Sequence, residues 1–367
     1  MKEPRVLLVG GGSGGHVYPL IAVARALKEK ATTSGINLKL MMIGDGSFLE
    51  RAARENNISF KKITASKLRR YPNLEFIIDI FKIPISFAQS FWYLFLFMPN
   101  VVFTKGGATS VMPATVAKLF FIPVFIHESD SVPGLANRFI GKFAKKIFIS
   151  FKGSAKYFKN SKTIFTGNPV RKELSQGDKN TAVQYFSFSG QRPTVLVLGG
   201  SQGAKIINEV VLAGFLALTQ KLNVIHQCGD GQYYLVKTEA DKMAAENYRL
   251  YPFLDENQLA LAYALADVIV SRAGAGLLFE IAQIGKPAII VPILNSSANH
   301  QYLNAAEFSS YGARLIEEPS FNQNSLIRTI ENILNPDIYI KISDSIKRFA
   351  TSDAADRIAQ ELVSSIK

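Results

Sequence analysis

One device, used twice, constrains this chain most. An apolar strand, Val6-Leu7-Leu8-Val9, runs straight into Gly10-Gly11-Gly12-Ser13-Gly14-Gly15, with a helical stretch behind it. The same order returns at Val195-Leu196-Val197-Leu198, which runs into Gly199-Gly200-Ser201-Gln202-Gly203. A glycine turn between a buried strand and a helix lets backbone approach a phosphate, and the free N–H groups and dipole at the helix start favour negative charge. Each opening begins a series of apolar strands alternating with helical-period stretches. The first series has strands at Arg5–Val9, Leu38–Ile43, Val101–Thr104, Val124–His127 and Lys146–Ser150, with helices such as Val17–Glu29, Ser110–Leu119 and Gly134–Lys142. The second has strands at Val195–Leu198, Val224–Gln227, Leu250–Phe253, Val268–Ser271 and Ala288–Val291, with helices at Ala204–Leu218, Glu256–Ala266, Leu277–Ile284 and Asn299–Ser310. Strands alternating with helices mean an α/β chain with parallel sheets.

A length of 367 residues suits two such domains. The expected division is a first domain over 1–166 and a second over 167–345. A C-terminal segment over 346–367, helical by period, is able to cross back to the first domain. Charge divides the chain in the same place. Residues 1–166 carry 24 Lys+Arg against 9 Asp+Glu, and residues 167–367 carry 18 against 20, so the net +13 of the whole chain sits in the first part. A lopsided basic charge suggests nucleic acid, phosphate or an anionic membrane. Nucleic acid fits poorly, because the aromatics cluster in an apolar run and do not interleave with Lys and Arg as a stacking platform would.

That run is Ile83 to Thr104, 22 residues without a formal charge, centred on Phe91-Trp92-Tyr93-Leu94-Phe95-Leu96-Phe97-Met98. Pro84 and Pro99 bracket it, and its last part reads as a core strand. The expected helix is therefore about four turns, too short to span a bilayer. Lys61, Lys62, Lys67, Arg69, Arg70 and Lys82 crowd the same region, opposed only by Glu75 and Asp79. A basic rim beside Trp, Tyr and Phe is the composition of an interfacial anchor. A helix buried on the sheet is the plainer alternative.

Several classes fall away. One cysteine, Cys228, excludes a disulfide framework. The N-terminus shows no signal-peptide pattern, and the cytoplasm is the natural compartment. The first loop matches G-x-G-x-x-G through Gly10, Gly12 and Gly15, but His16 follows directly. No acidic residue falls about twenty positions on, where a dinucleotide-binding site would place one. There is no P-loop, no G-x-S-x-G elbow, and no D-x-D pair to bridge a metal to a diphosphate. His16, His127, His226 and His300 lack metal-ligand spacing, so neither metal nor cofactor is expected. His226 and Cys228 read as core. A third glycine pair, Lys105-Gly106-Gly107, also follows a strand. Strand ends of one sheet gather at the edge where ligands bind, so two phosphorylated ligands meeting at a cleft are expected, as in a transferase with a nucleotide donor.

Seven segments in order carry a resemblance. They are Gly11-Gly12-Ser13-Gly14-Gly15-His16, Lys105-Gly106-Gly107, His127-Glu128-Ser129-Asp130 with Pro133-Gly134-Leu135-Ala136-Asn137, Gly167-Asn168-Pro169-Val170-Arg171, Gly199-Gly200-Ser201-Gln202-Gly203-Ala204, Ser271-Arg272-Ala273-Gly274-Ala275 through Glu280, and Asn299-His300-Gln301 through Asn304-Ala305. With them the chain resembles the MurG family, peripheral-membrane glycosyltransferases of peptidoglycan synthesis. The resemblance implies a GT-B fold, two Rossmann-like domains with parallel sheets facing a central cleft. It implies transfer of N-acetylglucosamine from UDP-GlcNAc to lipid I at the cytoplasmic face of the cell membrane, with inversion. Carried over by residue, Ser201, Gln202 and Gly203 would hold the donor diphosphate, and Arg171 would contact the nucleotide. Leu254 would offer backbone groups to the uracil, and Glu280 would bind the ribose. Ala275 and Gly276 would line the donor site, and Gln301 with His300 would read the sugar hydroxyls. Ser13, Gly14, Gly15, Gly106 and Gly107 would face the acceptor pyrophosphate and donor sugar, with Asp130 nearby. His16, whose ordinary pKa of about 6.5 suits a base, is the candidate catalytic base, and Glu128 is the runner-up. Ser13 stands where Thr is common in the family, Ala108-Thr109 where an aromatic or apolar pair is usual, and Asp130 where many members have Asn.

Overall fold

The computed structural model describes residues 3–12, 14–65, 74–188, 192–200 and 203–366. The chain forms two compact units, Met1–Arg171 with Ser352–Lys367, and Lys172–Thr351.

In the first unit seven parallel strands form one sheet: β1 (Arg5–Gly11), β2 (Lys39–Asp45), β3 (Ser59–Lys62), β4 (Val101–Thr104), β5 (Val124–Glu128), β6 (Lys146–Ile149) and β7 (Thr163–Phe165). Their order is β3-β2-β1-β4-β5-β6-β7. The helices are α1 (Gly14–Thr33), α2 (Ser47–Glu55), α3 (Leu74–Phe97), α4 (Ala108–Leu119) and α5 (Leu135–Gly141). Side chains alternate across a strand, so Val6 and Leu8 pack on one face and Leu7 and Val9 on the other. On the first face α1, α2 and the C-terminal helix Ala354–Ser364 cover Met42, Val101, Phe103, Phe125 and Phe148. On the second, α3, α4 and α5 cover Val102, Val124, Ile126 and Ile147 through Leu94, Ala114 and Ile140. Burial on both faces explains why these strands are continuous apolar runs.

The second unit repeats the plan with six parallel strands in the order β10-β9-β8-β11-β12-β13. They are β8 (Thr194–Leu198), β9 (Asn223–Gln227), β10 (Tyr248–Tyr251), β11 (Val268–Ser271), β12 (Ala288–Ile290) and β13 (Arg314–Leu315). The helices are α6 (Lys179–Phe186), α7 (Lys205–Ala213), α8 (Phe215–Lys221), α9 (Tyr233–Met243), α10 (Glu256–Leu265), α11 (Ala275–Ile284), α12 (His300–Ser309), α13 (Gln323–Ile333) and α14 (Pro336–Lys347). In each sheet the order reverses beside the strand that carries the glycine loop, β1/β4 in one and β8/β11 in the other. That reversal opens a crevice at the carboxyl ends of the strands.

Two elements differ from their sequence expectation. The single helix read over Ala204–Leu218 is two, α7 and α8, broken at Gly214. Pro84 does not bound the aromatic helix but lies inside it, so α3 runs 24 residues and not four turns. Even so, no helix among the described residues is long and apolar enough to cross a membrane. Toward the sheet α3 packs Leu94 with Phe87, Tyr93 and Phe97, and it exposes further apolar side chains on its outer side. Ser86, Ser90 and Leu94 are buried toward the sheet, with the Ser90 hydroxyl donating to the Ser86 carbonyl at 2.6 Å. Phe81, Ile85, Phe91, Trp92, Phe95 and Leu96 are exposed, Trp92 by 57%.

Candidate active site

In the first unit the carboxyl ends of β1, β4 and β5 converge. Gly12 turns the chain with φ +84°, and α1 starts at Gly14, so Gly14, Gly15 and His16 form its first turn, where backbone N–H groups have no helical partner. Ser13 lies outside the described residues. The His16 ring is half-buried and hydrogen-bonds the Lys105 backbone, while its Nδ1 is shut off from solvent with no partner among the described residues. Burial lowers its pKa, Lys105 lowers it further, and Asp130 opposes both. His16 is therefore neutral at physiological pH, the form a general base requires.

After β4 the chain turns through Gly106 and Gly107, with φ +83° and +80°. The Gly106 carbonyl accepts from Ser110 Oγ at 2.7 Å and its N–H donates to Thr104 Oγ1 at 3.0 Å. Beneath this turn lies Lys105, which carried no assigned role in the sequence reading and is only 2% exposed. Its ammonium donates to His127 Nδ1 at 2.6 Å, to Ser129 Oγ, and to Asn168 Oδ1 at 3.4 Å, three acceptors for three protons. His127 Nε2 donates to the Gly167 carbonyl at 2.9 Å, which leaves Nδ1 as the acceptor, and burial holds this ring's pKa well below its ordinary value. Burial brings Lys105 down to about 7, against the pull of Glu128 and Asp130.

Glu128 ends β5 and is 3% exposed. Its Oε1 accepts the Asp130 N–H at 2.9 Å, and its Oε2 accepts Asn137 Nδ2 at 2.9 Å and the Gly134 N–H at 3.3 Å. Burial first, and then Asp130, raise it to about 7. Both carboxylate oxygens are thus occupied in holding the 128–137 turn. Arg171 is buried with its guanidinium 3.6 Å from the centre of the Tyr18 ring, a cation–π stack on α1.

In the second unit the corresponding edge gathers the ends of β8 to β12. Gly199, Gly200 and Gly203 frame the loop ahead of α7, the last two with φ +77° and +79°. Ser201 and Gln202 lie outside the described residues. Ala275 and Gly276 form the first turn of α11 behind Gly274, a second set of helix-start amides. Glu280, one turn on, is buried and accepts from the Tyr263 hydroxyl at 3.0 Å. Leu254 is buried, and its N–H donates to Gln227 Oε1 at 3.0 Å, so of the two backbone groups expected to read a base the N–H is engaged within the fold. His300 and Gln301 open α12, where the Gln301 side-chain oxygen accepts the Ile293 N–H at 3.1 Å. That bond leaves the amide NH2 of Gln301 as its donor. Arg272, within the Ser271–Ala275 segment but with no role expected of it, pairs with Glu318 at 2.7 Å. Arg272 also donates to the Val291 carbonyl at 3.1 Å, and Glu318 accepts the Leu294 N–H at 3.0 Å, so the pair ties the turns after β11 and β12 together. Among the described residues no group of three His, Cys, Asp or Glu is placed to hold a metal ion.

Both halves match glycosyltransferase family 28, the N-terminal domain over residues 6–149 and the C-terminal domain over 194–358. A relative from Bacillus anthracis, a UDP-N-acetylglucosamine--N-acetylmuramyl-(pentapeptide) pyrophosphoryl-undecaprenol N-acetylglucosamine transferase 2, is 35% identical over 90% of this chain and 91% of its own length. A transferase of the same name, without the numeral, from Borrelia hermsii is 33% identical over 98% of this chain and 97% of its own. The chain belongs to the MurG family. The crystal structure of Acinetobacter baumannii MurG matches it with a TM-score of 0.73 and 25% identity, covering 98% of this chain and 99% of that one. The two parallel-sheet units are thus those of a GT-B glycosyltransferase, and every loop described above falls inside the stretch shared with MurG relatives.

Proposed function

We propose that the chain transfers N-acetylglucosamine from UDP-N-acetylglucosamine to the C4 hydroxyl of MurNAc in lipid I (undecaprenyl-pyrophosphoryl-MurNAc-pentapeptide), with inversion, making lipid II. One observation carries this reading: the transferases it resembles are matched across nearly the whole chain, both units included. The second unit takes the donor. Ser201, Gln202 and Gly203 hold the diphosphate at the start of α7, helped by the Ala275 and Gly276 amides. Glu280 takes the ribose hydroxyls, Leu254 the uracil, and Gln301 with His300 the sugar; Arg171, expected at the nucleotide, belongs instead to the first unit, where it stacks on Tyr18. The first unit takes the acceptor pyrophosphate on Ser13, Gly14, Gly15, Gly106 and Gly107, with Asp130 beside the sugars.

The acceptor oxygen attacks the anomeric carbon, the bond from that carbon to the diphosphate breaks, and UDP leaves with the electron pair. His16 takes the hydroxyl proton through its neutral ring. Helix-start amides meet the charge that develops on the departing diphosphate, where such donors act most strongly. Glu128 shapes the acceptor turn.

The first unit sits peripherally on the anionic cytoplasmic membrane surface, and nucleic acid is not a partner. The exposed aromatic face of α3 supports this. Phe121, 91% exposed, just after α4, and exposed Phe139 on α5 belong to the helices that cover the same sheet face as α3. Exposed Lys118, Arg138 and Lys142 lie on those same elements. Apolar exposure accompanied by basic residues is what an interfacial surface requires.

The test is transfer of labelled N-acetylglucosamine from UDP-N-acetylglucosamine to a lipid I analogue. Label in a lipid II product is expected. Donor binding without transfer to any lipid I analogue would overturn the acceptor assignment.

A further inference from the structure

Gln227 ends β9 and is 5% exposed. Its backbone carbonyl accepts the Gly199 N–H at 3.1 Å. Its side-chain Nε2 donates to the Gly200 carbonyl at 3.2 Å, and its Oε1 accepts the Leu254 N–H at 3.0 Å. One residue therefore grips the turn that opens the β8 loop and, with the other end of the same amide, the segment after β10. The amide cannot reverse, because a flip would set NH2 against an N–H and oxygen against a carbonyl.

The wall behind it is fixed. Gly203 lies so close to the Cys228 carbonyl that no side chain fits. That carbonyl accepts from Asn208 Nδ2 at 3.0 Å, Asn208 Oδ1 accepts His226 Nε2 at 2.9 Å, and the Tyr248 hydroxyl meets His226 Nδ1 at 2.7 Å. Against that wall, the Gly200 carbonyl takes its direction from Gln227. Gly200, at φ +77°, has a backbone that side chains rarely permit and lacks a Cβ to restrain it.

We propose that Gln227 is a positioning residue that couples base recognition at Leu254 to diphosphate recognition at the β8 loop. The proposal rests on reading the second unit as the UDP-sugar site. Gln227 touches the loops from behind, and its donor end and acceptor end serve different parts of the nucleotide. Removing only the donor end should loosen the diphosphate loop and spare the base.

The test compares the full-length wild type with Gln227→Glu and Gln227→Met, measuring affinity for UDP and for uridine by calorimetry, and donor KM and kcat by turnover. Gln227→Glu keeps an acceptor for Leu254 but sets oxygen against the Gly200 carbonyl. It should weaken UDP by roughly tenfold or more and uridine by less than about twofold, since an unmatched buried carbonyl costs more than an average hydrogen bond. Gln227→Met, uncharged and of similar length, should weaken both ligands, and it decides the matter where the glutamate variant does not fold. In both variants KM for the donor should rise more than kcat falls. Wild-type affinities in Gln227→Met, or equal losses for UDP and uridine in a folded Gln227→Glu, would overturn the coupling. A wild-type chain that binds no UDP would instead overturn the donor-site reading, and the proposal with it.

Discussion

On the proposed mechanism, the chemistry at residue scale turns on His16 and the buried Lys105 behind it. Burial and Lys105 both push the His16 pKa below its ordinary 6.5, and Lys105 itself titrates at about 7. Lys105 is therefore charged throughout the range in which His16 takes up its proton. The acid limb of kcat/KM should lie below pH 6.5 in the wild type, because the base is lost only when His16 is protonated. In Lys105→Met the limb should move up toward the ordinary histidine value, and in Asp130→Asn it should move down, since Asp130 acts on His16 in the opposite sense. A pH profile of the two variants reads both signs, and limbs that stay fixed would remove His16 as the titrating base. His16→Ala should lower kcat by roughly 10²–10⁴-fold, the usual contribution of a positioned base, with donor affinity retained. The glycines and His16 were visible in sequence because turns and helix starts have residue signatures. Lys105 was visible only as part of the Lys105-Gly106-Gly107 segment and its burial was not, because nothing local marks a lysine as buried. Its environment comes from His127, Ser129 and Asn168, up to 63 positions away.

At the scale of elements, α3 shows what a sequence run conveys and what it conceals. Its aromatic content was plain, and so was the strand that follows it. Pro84 looked like a boundary, yet it is carried inside the helix. The run did not tell its two sides apart: Leu94, Phe87, Tyr93 and Phe97 pack on the core beside buried Ser86 and Ser90, while Phe91, Trp92, Phe95 and Leu96 are exposed, where a soluble surface helix would be polar. Trp92 and Phe95 stand on its exposed side. Trp92→Ala/Phe95→Ala should thus leave thermal stability nearly unchanged, since exposed positions move it by about 0.5 kcal/mol or less. The same variant should lose flotation with anionic vesicles, and a large drop in stability with flotation intact would return the helix to the core. Strands buried on both faces were legible as Val, Ile and Leu runs. The unread ones were β3, with Lys61 and Lys62 exposed at an edge, the three-residue β7, and the two-residue β13. Edge and very short strands have no buried apolar run to announce them. The missed break at Gly214 has the same root, because helical period continues across it while the backbone does not.

The whole molecule is two cores, and the chain visits the first of them twice. The C-terminal helix Ala354–Ser364 returns to bury Ala355, Ile358, Ala359 and Leu362 in the core shared with α1. Ile358 and Leu362 are fully buried there, so Ile358→Ala or Leu362→Ala should cost about 2–5 kcal/mol even though both lie far from every glycine loop in sequence. That cost belongs to the first unit alone, because the helix is part of that unit. UDP, on the reading above, binds the second. At a hundred times its dissociation constant a ligand stabilises the folded form by about 2.7 kcal/mol, and a unit of 150–250 residues gains roughly 2–4 °C for each kcal/mol. Calorimetric unfolding should therefore resolve two transitions that move separately, one lowered by Leu362→Ala and unchanged by UDP, the other raised by UDP and unchanged by Leu362→Ala. If UDP and Leu362→Ala each shifted a single transition, the two units would unfold as one cooperative body, and the linkage between donor binding and the acceptor core would be direct.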